Sequence, residues 1–132
     1  DIIIPTTASS QGAKAAGLGA FIPMMVRDCY PANLQQLFAS GMKDMLAKCQ
    51  NDFNKDFIQL NTEERHKLMT DLTAEAIANK KRPSFFMIAR DLTLLGYFSS
   101  EIGCTEAREY LPVPGRYDGN ADYKPGQKAW AT

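Results

Sequence analysis

The sequence has few of the residues from which catalytic and metal sites are usually built. Its 132 residues include one histidine, His66, and three cysteines that stand far apart in the chain. A single imidazole excludes metal sites with several histidines, and the cysteine spacing excludes C-x-x-C pairs, haem attachment and zinc ribbons. His66 lies in the charged segment T-E-E-R-H-K, so we expect a solvated side chain. The sequence therefore predicts no catalytic residue, no cofactor site and no metal site in this chain.

An excess of charge and a long apolar run are also missing. Lysine plus arginine and aspartate plus glutamate both number 15, so the formal net charge is zero. Nucleic-acid binding depends on a basic surface, so the charge balance argues against a nucleic-acid partner. No apolar run approaches the roughly 18 residues of a membrane-spanning helix, so no direct span is predicted. The length predicts a single domain over 1–132 that buries a core without disulfides or metals.

The odd number of cysteines leaves two interpretations open. Free cysteines are among the most buried residue types, so Cys29, Cys49 and Cys104 are first predicted to be small core residues. In the second interpretation, one thiol forms a disulfide with a partner in an oxidising compartment. Cys104, just after the fourth predicted helix, is the candidate for such a bridge.

Helical periodicity is the dominant pattern along the chain. Apolar residues recur at the i, i+3, i+4, i+7 spacing of one helix face between Leu34 and Cys49. Asn61 and Glu64 have the spacing of a capping box, so a helix is predicted to begin there. The predicted helices cover about 20–30, 31–49, 61–79, 85–98 and 105–110, with a linker or short turn over 50–60.

The segment from Phe85 to Phe98 is apolar around almost its whole circumference. Ser84 precedes it and is predicted to cap its first turn. A helix that is apolar on all sides is normally buried on all sides. We therefore expect this helix to be the central helix of the domain or a helix that is shared with a partner.

The chain from Leu111 onward has the composition of turns. Prolines and glycines recur in P-V-P-G, Y-D-G and K-P-G, and no alternating strand pattern is present. The arm also carries Tyr117, Tyr123 and the single tryptophan, Trp130. The predicted fold is therefore all-α: one small domain of four to five helices with an irregular Pro/Gly-rich C-terminal arm.

The aromatic residues of this region have two interpretations. They hold the arm against the domain's own helices, or some of them contact a partner, where tyrosine, tryptophan and arginine are typical anchors. For the partner surface or its support, the sequence indicates eight residues at the end of the fourth helix and in the arm. They are Leu94, Leu95, Tyr97, Phe98, Cys104, Arg116, Tyr117 and Trp130.

Six segments give the chain a resemblance to a known family. In order they read I-I-P-T-T, G-A-K-A-A-G, D-C-Y-P, L-T-L-L-G-Y-F-S-S-E-I-G, P-V-P-G-R-Y-D-G and Y-x-P-G-Q-x-A-W. Together they resemble the gluconate 2-dehydrogenase subunit 3 family over the span from Ile3 to Trp130. The L-L-G-Y-F-S-S-E-I-G and P-G-R-Y-D-G segments are the most specific.

This resemblance implies a non-catalytic small subunit of a periplasmic dehydrogenase complex that oxidises sugars or sugar acids. The implied partner is a large subunit of the glucose–methanol–choline type that carries FAD. A cytochrome c subunit with haem c is a further partner in such complexes, and these partners would provide the association with the membrane. The small subunit typically brings a twin-arginine export signal and escorts the large subunit. That signal is not part of this chain, and we expect it upstream of Asp1.

Two alternatives remain open beside the resemblance. A stand-alone helical enzyme or ligand-binding domain would need a concave pocket with convergent polar groups. A homo-oligomeric helical module would need only a self-complementary surface.

Overall fold

The computed structural model describes residues 1–78, 83–113, 115 and 119–131. These residues form four α-helices, a 3-10 turn, a π-helical turn and one pair of very short strands, so the predicted all-α fold is confirmed. In chain order the elements are α1 (Leu18–Cys29), α2 (Ala32–Phe53), the 3-10 turn (Phe57–Gln59), α3 (Thr62–Ala78), α4 (Phe85–Phe98), the π-turn (Gly103–Ala107), β1 (Glu109–Tyr110) and β2 (Trp130–Ala131). No helix in the described ranges is long and apolar enough to cross a membrane.

Local hydrogen bonds explain where the helices begin. The predicted capping box at α3 is confirmed, since Asn61 N–H donates to Glu64 Oε2 and Glu64 N–H donates to Asn61 Oδ1, both at 2.8 Å. At α4, Met87 N–H donates to Ser84 Oγ at 3.3 Å, which confirms the predicted serine cap. Both caps satisfy backbone N–H groups that have no partner within the helix.

The predicted linker over 50–60 is shorter than expected because α2 continues to Phe53. The helix ends at Asn54, which adopts a left-handed conformation with φ of 51° and donates its N–H to the carbonyl of Gln50 at 2.9 Å. Asparagine is one of the few residues that reach this conformation at low cost, so it ends a helix much as glycine does.

The central position predicted for α4 is confirmed, because α4 packs against α1, α2 and α3. Glycines allow two of these close approaches. A β-carbon on Gly96 of α4 would stand 2.6 Å from ring atom Cδ1 of Phe21 and 2.7 Å from Cδ2 of Leu18. A β-carbon on Gly41 of α2 would overlap the side chain of Phe85.

The buried apolar residues lie in three clusters instead of one continuous core. The first joins α1, α2 and α4, the second joins the N-terminal segment to α1 and α4, and the third joins α2 to α3. Their buried members are Val26, Phe38, Ile88 and Leu92 in the first cluster, Ala13, Leu18 and Tyr97 in the second, and Cys49, Leu60 and Leu68 in the third.

The short helix predicted over 105–110 is only partly correct. The helical turn lies earlier, at Gly103–Ala107, and has the wide π geometry, with Arg108 N–H donating to the carbonyl of Gly103 at 3.2 Å. Gly103 is needed there because a β-carbon would overlap the carbonyl oxygen of Tyr97. The residues after the turn leave the helix and pair as β1, parallel to β2. A ladder of two residues is too short to leave a periodic pattern in the sequence.

Candidate interaction surface

An exposed apolar surface lies on the side of α4 that faces away from the other helices. Leu94, Leu95 and Phe98 are 38%, 52% and 36% exposed, whereas Leu92 and Tyr97 are almost completely buried. Leu94 and Leu95 stand four and three positions before Phe98, so each is a neighbour of Phe98 on the helix surface. Within this chain α1, α2 and α3 therefore enclose only part of the circumference of α4. The predicted alternative of a helix shared with a partner stays a prediction. We call these three side chains the outward face of α4.

Tyr97 was predicted with these residues, but the structure places it in the core. It is 1% exposed, and its hydroxyl donates to the carbonyl of Gln11 at 2.7 Å. Of the two predicted roles, the partner surface or its support, the burial of Tyr97 leaves it the supporting one. Its ring meets the ring of Phe98 edge-on, with centroids 5.1 Å apart, so the buried tyrosine helps to fix the exposed phenylalanine.

The π-turn is attached to the end of α4 through Phe98. The guanidinium of Arg108 lies 5.2 Å from the centroid of the Phe98 ring, and its Nη2 donates to the carbonyl of Phe98. The thiol of Cys104 donates to the same carbonyl at 3.3 Å. A cation over an aromatic face adds to the packing of both groups, so Arg108 helps to hold the exposed ring in place.

The cysteines differ in their surroundings, and all three are free. Cys49 is completely buried, which confirms the core prediction for this residue, and burial raises the pKa of its thiol. Cys29 is exposed, so the core prediction is wrong there. Cys104 is half-buried, and its disulfide with a partner stays a prediction.

The arm returns to the domain through its last described residues. Glu109 N–H donates to the carbonyl of Ala129 at 2.9 Å, and Ala131 is buried beside the ladder. Lys128 Nζ donates to the carbonyl of Glu106 in the π-turn. Trp130 remains 50% exposed. This end of the arm therefore combines attachment to the domain with an exposed tryptophan. The predicted interface residues Arg116 and Tyr117 lie outside the described residues.

The N-terminal segment is attached to the same π-turn. The carboxylate of Glu106 accepts hydrogen bonds from Gln11 N–H at 2.8 Å and from Gln11 Nε2 at 3.1 Å. Gln11, Glu106 and Arg108 were not predicted from the sequence. The contact between Gln11 and Glu106 joins residues that are 95 positions apart. The position of Arg108 depends on the unusual geometry of the π-turn. Neither contact leaves a local spacing pattern in the sequence.

The described groups around this surface make structural contacts with one another. Across residues 1–78, 83–113, 115 and 119–131, no three His, Cys, Asp or Glu side chains could hold a metal ion together. His66 is exposed, as predicted. The carboxyl pKa of Glu64 is lowered by hydrogen bonds from Lys55 and from the backbone of Asn61, at the start of α3. This shift reflects a helix cap and a neighbouring cation rather than a reactive site.

The fold and the outward face of α4 define a small helical protein with an exposed apolar surface. A family model described as gluconate 2-dehydrogenase subunit 3 matches residues 1–115, and the chain belongs to this family. The match covers α1 to α4, the π-turn and β1, and it ends before the strand that contains Trp130. The family name makes the chain a subunit of a dehydrogenase complex. No match was found to a curated protein or to a solved structure.

Proposed function

We propose that this chain is the non-catalytic small subunit of a periplasmic FAD-dependent sugar or sugar-acid dehydrogenase complex. Its partner is a flavoprotein of the glucose–methanol–choline type, whose folding, export and stability it supports. FAD is held by that partner and haem c by a cytochrome c subunit, and these partners bring the complex to the membrane. The observation that carries the proposal is the outward face of α4, in a chain whose family is one of dehydrogenase subunits.

The outward face has the properties of an interface centre. Leu94, Leu95 and Phe98 expose about a third to a half of their surface to water. Burying this exposed part against a partner is worth about 1 kcal/mol for each side chain. The Phe98 ring contacts the Tyr97 ring edge-on and lies under the Arg108 guanidinium, so little conformational freedom is lost when a partner covers it. Aromatic side chains that are already fixed are frequent energetic centres of interfaces.

The nearby arm would extend the same contact. Tyr110 in β1 is 52% exposed, and Trp130 in the paired strand β2 is 50% exposed. Tryptophan and tyrosine combine a large apolar surface with a polar group that tolerates water. A partner that covers the outward face of α4 and reaches the ladder would bury both rings.

The direct experiment is co-expression with a flavoprotein of the glucose–methanol–choline type from the same source. We expect a stable 1:1 complex, FAD-loaded flavoprotein in the periplasm and dehydrogenase activity, all of which are lost when the chain is omitted. A flavoprotein that is exported, folded and active without the chain would contradict the proposal.

The alternative of a homo-oligomeric module is tested with the isolated chain. If the outward face pairs two copies of this chain, light scattering shows a dimer whose proportion rises with protein concentration. Under our proposal the isolated chain stays monomeric, and the 1:1 complex forms only with the flavoprotein.

A further inference from the structure

Gln11 in the N-terminal segment is fixed at three points. Its backbone N–H and its Nε2 donate to the Glu106 carboxylate at 2.8 and 3.1 Å, and its carbonyl accepts the Tyr97 hydroxyl at 2.7 Å. Glu106 lies in the π-turn, and Tyr97 lies in the last turn of α4. One glutamine therefore joins the N-terminal segment both to α4 and to the turn that follows it.

The π-turn also ends at the residue that contacts the exposed Phe98 ring. Arg108 N–H closes the turn by donating to the carbonyl of Gly103 at 3.2 Å. The Arg108 guanidinium lies 5.2 Å from the centroid of the Phe98 ring, and its Nη2 donates to the Phe98 carbonyl. Glu106 and Arg108 are two positions apart. One short turn therefore carries both the attachment to the N-terminal segment and the contact with Phe98.

The π-turn has little buried surface of its own to keep it in place. Gly103 is its buried residue, whereas the four residues that follow are partly or fully exposed. Segments with few buried apolar contacts open locally at a low cost in free energy. Hydrogen bonds to a carboxylate are about twice as strong as neutral ones. The two bonds from Gln11 to Glu106 therefore contribute much of what holds this turn closed.

We propose that the N-terminal segment, residues 1–17, is a strap that orders the Phe98 ring through the π-turn, with Gln11 as the positioning residue. The bond from Tyr97 anchors the strap to α4, and the bonds to Glu106 transmit its position to the turn. While Gln11 holds Glu106, the turn stays closed and Arg108 stays over the ring. When these bonds are released, the turn opens and Phe98 loses its contact with the guanidinium.

Coupling of this kind acts in both directions. A partner that covers Phe98 favours the state in which Arg108 lies over the ring, so it also tightens the strap. This second half of the inference rests on the proposed function, in which the flavoprotein covers the outward face of α4. The first half concerns the isolated chain and is tested without a partner.

Gln11→Glu releases the strap in the isolated chain, because it places a second carboxylate beside Glu106. Hydrogen exchange measured by NMR reports the Arg108 amide, and the ring-current shift of the Arg108 side chain reports its contact with Phe98. We expect about tenfold faster exchange of this amide and a smaller ring-current shift, with the exchange of the buried Leu92 unchanged. Faster exchange in residues 1–17 alone would overturn the proposal.

Three further variants separate the strap from a general effect of charge. Ala8→Glu adds the same charge at an exposed position of the same segment and should leave the Arg108 signals unchanged. Gln11→Glu combined with Glu106→Gln restores one amide and one carboxylate and should return the exchange rate close to that of the wild type. Gln11→Ala keeps the backbone bond to Glu106 and should give a smaller change in the same direction. It decides the question if the charged variant does not fold. Equal effects at positions 8 and 11, or no recovery in the combined variant, would contradict the role of this contact.

The complex with the flavoprotein tests the reciprocal half. At saturating flavoprotein, we expect the amides around Gln11 to exchange about tenfold more slowly than in the isolated chain. Arg108→Ala should abolish this protection, because the link between Phe98 and the strap is removed, whereas direct coverage of Gln11 by the partner would persist. A complex that forms without protecting the strap, or protection that survives Arg108→Ala, would contradict the coupling and leave the proposed function intact. If no complex forms, the proposed function fails, and the exchange measurements on the isolated chain still decide whether the strap orders Phe98.

Discussion

The two faces of α4 have similar side chains and different surroundings. Leu92 and Tyr97 are 2% and 1% exposed, whereas Leu94, Leu95 and Phe98 on the same helix are 38%, 52% and 36% exposed. The buried face contacts α1, α2 and α3 and forms part of two apolar clusters. The outward face borders the residues after the π-turn, where Arg108 contacts Phe98.

Under the proposed function, the two faces of this helix have different roles. Its buried face stabilises the domain, and we infer that its outward face is kept for the flavoprotein. The free energy of unfolding and the affinity for the partner should therefore respond to different residues of one helix. The predictions below separate these two quantities, beginning with the largest expected effect.

The largest expected difference is between two leucines. Leu92→Ala leaves a cavity in the first cluster and should lower the free energy of unfolding by about 2–5 kcal/mol. Leu95→Ala removes a side chain that is half in water and should lower it by less than about 1 kcal/mol. Urea unfolding of the isolated chain measures both. Equal losses would mean that the outward face is part of the core.

The junction of α4 and the π-turn is tested by a glycine pair. Gly103→Ala places a β-carbon against the carbonyl of Tyr97, so we expect a loss of about 1–3 kcal/mol from the displaced backbone. The matched control is Gly19→Ala in α1, where the β-carbon meets nothing and alanine is the better helix former. This control should gain up to about 1 kcal/mol. A neutral Gly103→Ala would show that the π-turn shifts freely against α4.

Tyr97→Phe tests the supporting role of the buried tyrosine. It keeps the ring that contacts Phe98 and removes only the hydrogen bond to the carbonyl of Gln11. We expect a loss of about 1 kcal/mol in stability and no change in affinity for the flavoprotein. Gel-shift or calorimetric titration with the partner measures the affinity. A weaker complex would show that the second cluster also positions the interface.

The smallest effect is expected at the capping box that begins α3. The pKa of Glu64 is lowered by Lys55 and by the backbone N–H of Asn61, so the folded state favours the ionised carboxylate. The stabilisation from the ionised Glu64 carboxylate is fully present when the pH is above the ordinary carboxyl pKa. It is lost as the pH falls through the lowered pKa of the folded state. Thermal unfolding should therefore become less pH-dependent below about pH 4.5 in Glu64→Gln. Glu63→Gln, the same charge change on an exposed neighbour, should keep the pH dependence of the wild type.

Local patterns predicted the helices well because their causes are local. The capping box of Asn61 and Glu64, the serine cap of α4 and the apolar periodicity of α2 each depend on residues a few positions apart. The end of α2 was predicted too early because Asn54, and not the polar segment after Cys49, provides the left-handed residue that stops it.

The contact surface was predicted only in part, because exposure is a property of the whole fold. Apolar character alone selected Leu94, Leu95, Tyr97 and Phe98 together, and it could not show that Tyr97 points to the second cluster. The attachment of Gln11 to Glu106 and the pairing of β1 with β2 are long-range contacts with no periodic signal. The π-turn follows from Gly103, whose role is visible only once the carbonyl of Tyr97 is seen beside it.

The affinity of the flavoprotein for surface variants tests the central claim most directly. Leu95→Asp places a charge at the outward face of α4, and Ile77→Asp places the same charge on an exposed isoleucine of α3 that is 69% exposed. With both variants as stable as the wild type by urea unfolding, we predict that Leu95→Asp weakens the complex by about 30-fold or more, as expected for an interface centre. Ile77→Asp should bind as the wild type does. Wild-type affinity in Leu95→Asp, or equal losses in the two variants, would contradict the assignment of this face to the partner.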